Sequence, residues 1–155
     1  MILILCGCSN NEVYNISPVT SNFKCDFVIQ NSKEHGELTV SESGDVTFLF
    51  QSDDSVNGLS ITVKRDNIII DVHGITEKYS RDELPDDSPI LIFYESLLNA
   101  SNSSPKLKGD EIIVSGETPN GTYTLLLDSS GFITQIEFDS ISTKINFSNH
   151  HLNNT

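Results

Sequence analysis

The sequence predicts a mainly β, α+β fold: meanders of antiparallel hairpins, about ten strands in all, with one inserted amphipathic helix. Three observations carry this. Apolar and polar residues alternate through a long series of short runs, the period of half-buried strands. Turn-forming groups such as Ser43-Gly44-Asp45, Arg65-Asp66-Asn67 and Pro119-Asn120-Gly121 separate these runs closely enough for hairpins. One segment, Pro89 to Asn99, changes to helical spacing. The 155 residues suit one domain with a real core.

At the N-terminus, the apolar Met1 to Leu5 leads into Cys6-Gly7-Cys8, and polar Ser9, Asn10, Asn11 and Glu12 follow. Leu5 three places before Cys8, with the small Gly7 just before it, resembles a bacterial lipoprotein signal. That resemblance implies a lipidated, palmitate-bearing Cys8 and residues 1–7 as residual signal peptide. It also implies attachment to the extracytoplasmic face of the cell membrane. The apolar run is shorter than the roughly 7–15 residues of a full signal core, and no Lys or Arg precedes it. Residues 8–21, rich in Asn and Ser, read as a flexible tether.

The domain is expected over residues 22–149. Phe23, Cys25, Phe27 and Ile29 share one face of a first strand, and Leu38 and Val40 one face of a second. Val46, Phe48 and Phe50 mark a third; Leu59, Ile61 and Val63 a fourth; Ile68 to Val72 a fifth; and Thr76 to Ser80 a short sixth. Asp86-Asp87-Ser88-Pro89 then forms a helix start, with acids favoured by the helix dipole, Ser88 as cap and Pro89 at the first helical position. Ile90, Phe93, Tyr94, Leu97 and Leu98 form its apolar stripe, and Asn99 to Pro105 ends it. Four strands follow, Glu111 to Ser115, Thr122 to Asp128, Phe132 to Asp139 and Ser142 to Ser148. Residues 150–155 read as a disordered tail.

Composition excludes several functions. A net charge of -13 repels nucleic acid and anionic surfaces. Cys25 is the one cysteine beyond the N-terminal pair, which leaves no disulfide framework, and its place in a strand points to a buried, inert thiol. His73 sits near a turn, and His150-His151 lies in the expected tail, so no nucleophile, base and acid are assembled by spacing. Asp53-Asp54 and Asp82-Glu83 with Asp86-Asp87 lack the spacing of a calcium loop and read as solvated acids. No catalytic residue, metal site or cofactor is expected, and the chain reads as no enzyme.

The order of elements also resembles a family. Gly36-Glu37-Leu38-Thr39-Val40 with Asp45 to Phe50 is similar to paired early strands of the LolA-like, lipoprotein-carrier-like half-barrels, and Ser60 to Val72 to their next hairpin. Gly131 to Phe138 with Thr143 to Asn149 resembles their closing strands. The resemblance implies a curved, unclosed sheet that wraps over helix and leaves an apolar groove. Delivery of lipoproteins is not carried over, because this chain reads as anchored whereas a soluble carrier must diffuse. The expected function is a lipid-anchored extracytoplasmic binding protein for a lipid, acyl chain or peptide. Phe48, Phe50, Ile61, Phe93, Tyr94 and Leu97 would line the groove, with Leu125 and Phe138 behind them. The alternative is a structural or sensory envelope lipoprotein that binds another protein and no small ligand.

Overall fold

The computed structural model describes residues 16–52, 56–85, 87–139 and 141–153. Among them, eleven strands form two meanders. The first comprises β1 (Phe23–Ile29), β2 (His35–Val40), β3 (Val46–Phe50), β4 (Leu59–Val63), β5 (Asn67–Val72) and β6 (Ile75–Ser80). The second comprises β7 (Lys106–Lys108), β8 (Glu111–Thr118), β9 (Gly121–Leu127), β10 (Ile133–Phe138) and β11 (Thr143–Leu152). β1 pairs antiparallel with β11, Phe27 opposite Phe147, and so joins the meanders into one sheet of order β6-β5-β4-β3-β2-β1-β11-β10-β9-β8-β7. β6 and β7 are its two edges, and the half-barrel is unclosed, as the family resemblance implies.

Local chemistry sets the turns. His73 and Gly74, with φ of 53° and 85°, connect β5 to β6 in two residues, the geometry whose twist matches a hairpin. The Asp71 carboxylate fixes this turn by accepting from the Gly74 amide at 3.0 Å and the Thr76 hydroxyl at 2.6 Å. Those bonds favour the charged form and hold its pKa below the usual carboxylate range. Asp128 does similar work between β9 and β10, accepting from the amides of Ser130 and Phe132.

Alternation buries one face. Phe23, Cys25 and Phe27, then Leu38 and Val40, then Val46, Phe48 and Phe50, all turn inward from β1 to β3. Tyr123, Leu125 and Leu127 do so from β9, and Ile145 and Phe147 from β11. At Gly36, a β-carbon would overlap the Leu49 carbonyl oxygen, so the close approach of β2 to β3 requires glycine there.

The chain leaves β6 through a single 3-10 turn, Arg81–Glu83, and enters the helix α1 (Pro89–Ala100) before reaching β7. This stretch links the two sheet edges, so α1 crosses the concave face. Pro89 stands at the helix start as predicted, but the Ser88 hydroxyl makes no capping bond. Proline begins the helix with its preset φ and its lack of an N–H to satisfy. The buried surface is wider than the predicted stripe: Leu91, Ile92, Phe93, Tyr94, Ser96, Leu97 and Ala100 are buried, whereas Leu98 is 49 % exposed. A helix lying inside a concave sheet is covered on its flanks as well as beneath.

Besides β8, which runs on from Ser115 to Thr118, three boundaries differ from expectation. β7 is an added strand whose three residues are all exposed, so no alternation marks it in the sequence. β11 continues to Leu152, past the expected domain end at Asn149, which makes 150–152 strand rather than tail. A register shift opposite Lys24 to Asp26 permits this: Asn149 takes a φ of 54° and donates its side-chain amide to Asp26 at 2.6 Å. The expected tether is docked from residue 16 onward, for the Val19 amide donates to the Gly131 carbonyl at 2.8 Å and Val19 packs on the core. Signal residues 1–7, Cys8, tether residues 8–15, Asp53-Asp54 and Asp86 lie outside the described residues.

Candidate functional site

The interior between sheet and helix is built almost wholly from carbon. Phe48 and Phe50 enter it from β3, Leu125 from β9 and Phe138 from β10, while Phe93, Tyr94 and Leu97 descend from α1. Ile61 of β4 is partly buried and packs against them. All eight residues expected to form a groove therefore belong to, or abut, one apolar cluster. Phe93 meets the Phe48 ring at 5.5 Å and the Phe147 ring at 5.2 Å between centroids, joining helix to both halves of the sheet. Phe27 adds edge contacts to Phe48 and Phe50, each at 5.3 Å. Phe27 was read from sequence as part of the apolar face of the first strand but not as part of the groove, and Phe147 was not singled out. The β1 to β11 pairing that sets them opposite each other is not local.

Polar groups are few in this interior, and the Tyr123 hydroxyl is buried without a hydrogen-bond partner among the described residues. The buried Ser96 hydroxyl donates to the Phe93 carbonyl one turn back at 2.7 Å. Burial pushes the Cys25 thiol up to about 12, with Asp26 and Glu37 adding to the effect. It is therefore a neutral packing group, as its strand position predicts. Burial also raises the Tyr94 and Tyr123 hydroxyls above the ordinary tyrosine range, with Arg81 pulling the other way on Tyr94.

A polar cleft of about 390 Å³ opens beside α1. Arg65 and Asp66 from the β4 to β5 turn, Ser80, Arg81 and Asp82 from the end of β6, and Asn120 from the β8 to β9 turn form its walls, with Leu91 and Glu95 from the helix. Arg81 Nη2 binds Glu95 Oε1 at 2.7 Å, both side chains being mostly buried, and the guanidinium lies 5.1 Å over the Tyr94 ring. Arg81 Nη1 also donates to the Arg65 carbonyl at 3.4 Å. The ion pair is incompletely made: Arg81 Nε and Glu95 Oε2 are buried without a hydrogen-bond partner among the described residues. Spacing in the sequence gives no sign of this cleft, because its charges come from two separate connections and the helix.

The histidines are dispersed. His73 lies at the β5 to β6 turn, and its ring packs where a β-carbon on Gly58 would stand. His150 Nε2 donates to the Ile133 carbonyl at 2.9 Å and stacks on Phe132 at 5.0 Å. Strand alternation turns His151 to the other face, beside the Lys24–Glu37 ion pair. Among the described residues, no three His, Cys, Asp or Glu side chains converge as metal ligands.

No family model and no curated protein matches the chain. Solved structures do. The chain is similar to a LolA superfamily protein from Nitrosomonas europaea, with a TM-score of 0.45 and 8 % identity over 92 % of this chain and 91 % of that one. It is also similar to the Mycobacterium tuberculosis lipoprotein LppX, with a TM-score of 0.42 and 12 % identity over 83 % of this chain and 85 % of that one.

Proposed function

We propose that this chain is a lipid-anchored binding protein of the extracytoplasmic membrane face, which holds an acyl chain between its concave sheet and α1. One observation carries the reading: the interior is formed by two apolar surfaces, a sheet face and a single helix that lies between the two edge strands in the chain. Parting α1 from the sheet exposes Phe48, Phe50, Ile61, Phe93, Tyr94 and Leu97 to an inserted chain, with Leu125 and Phe138 behind it. Such a site is selective for apolar length rather than for hydrogen-bonding pattern. The anchor is Cys8, and the membrane is the protein's principal partner. No step calls for a cofactor, metal or catalytic residue.

The chain contains no tryptophan, so Phe93→Trp supplies a single fluorescent reporter at the centre of the interior. Titration with monoacylglycerols of increasing length is expected to give saturable 1:1 binding that tightens about fourfold per methylene, the equivalent of about 0.8 kcal/mol. A response without saturation or length dependence would overturn the reading. A membrane pull-down that recovered a stoichiometric protein and no lipid would favour the protein-binding alternative. The anchor is tested separately by intact mass of the protein produced from its full gene in a bacterium. Acyl mass on Cys8 that disappears in Cys8→Ser is the expected result.

A further inference from the structure

Resting on that binding reading, we propose that the polar cleft beside α1 is the headgroup site of the bound amphiphile, and that it recognises a zwitterionic phosphoethanolamine group. Position argues first. Leu91 belongs both to the cleft wall and to the buried core, at 3 % exposure, so one side chain separates polar cleft from apolar interior. Tyr94 does the same beneath Arg81, its ring in the core and its face under the guanidinium. A molecule with a polar head and an apolar tail meets both environments across that boundary.

Charge narrows the headgroup. Arg81 and Glu95 neutralise each other, which leaves Arg65 facing ligand together with Asp66 and Asp82. A purely anionic head would meet two carboxylates, and a purely cationic one would meet Arg65. A phosphate linked to a primary ammonium satisfies both signs. Its oxygens suit the Arg65 guanidinium and the Asn120 amide, and its N–H donors suit the aspartates. The incompletely made Arg81–Glu95 pair adds one unpartnered donor and one unpartnered acceptor on residues that line the cleft, so it can rearrange around a ligand that offers both.

The test titrates the full chain, in detergent-free buffer, with lysophosphatidylethanolamine, lysophosphatidylglycerol and monoacylglycerol of one chain length, and with water-soluble glycerophosphoethanolamine. The phosphoethanolamine amphiphile is expected to bind at least about tenfold more tightly than the other three. Arg65→Gln, at an exposed turn position, should bring that preference close to parity. Equal binding of all three amphiphiles, or tightest binding of the anionic one, overturns the headgroup site and leaves the acyl-chain reading standing. Soluble glycerophosphoethanolamine binding as tightly as the lipid assigns the cleft to a free phosphodiester and overturns the lipid source. Absence of binding by every amphiphile removes both readings.

Discussion

Cys25 shows how a single side chain links strand position to stability. Alternation in β1 puts it inward at 1 % exposure, and desolvation raises its thiol from 9.0 to about 12. Between these values the unfolded chain releases a proton that the folded chain retains, so stability is full below pH 9 and falls as pH rises toward 12. The slope contributed is up to about 1.4 kcal/mol per pH unit. Denaturant unfolding of the protein and of Cys25→Ala across this range is expected to show the stability gap between them narrowing as pH rises. A constant gap would mean that the thiol titrates alike in both states. This residue's burial was legible from its neighbours Phe23 and Phe27 alone. The role of Arg81 was not, because its partners Glu95 and Tyr94 are brought to it by the fold.

At the scale of elements, strands and helix declared themselves through period and turn chemistry, whereas an exposed edge such as β7 had no buried face to declare. β6 is the other edge, and its outward charges have a consequence. In a twofold antiparallel pairing, identical strands must place residues of one face opposite each other. The two registers that use most of β6 centre on Glu77 or Lys78, setting each against its own copy. Like charges directly opposed are unfavourable, a common protection of free edges. Replacing both by threonine, Glu77→Thr with Lys78→Thr, is expected to raise self-association in sedimentation velocity. A sedimentation profile unchanged from that of the parent chain would show that other features guard this edge. The helix was legible in place but not in depth: Leu91 and Ile92 look outward on a one-stripe wheel and are buried only because the sheet curves around them.

For the molecule as a whole, the meanders and the inserted helix followed from the order of patterns and the unclosed sheet from the family resemblance, but the pairing of first strand with last followed from neither. Nothing local in Phe23–Ile29 or Thr143–Leu152 specifies the other, yet this pair holds the two meanders together. The Asn153 amide donates to the Asn22 carbonyl at 3.0 Å, so the two ends of the sheet's chain path meet at its centre. A circular permutant that joins them by a short linker and opens the chain at residues 101–105 would run β7 to β11, then β1 to β6, then α1. Every strand would then pair with its neighbour in sequence, and the one pairing of high sequence separation would become a hairpin. Because folding rate follows the mean separation of contacts, the permutant should refold several-fold faster in stopped-flow measurements while keeping the same sheet. Equal rates would place the barrier elsewhere than in closing β1 on β11. Read through folding rather than binding, the position of α1 is the place where a continuous eleven-strand ribbon has been cut and rejoined.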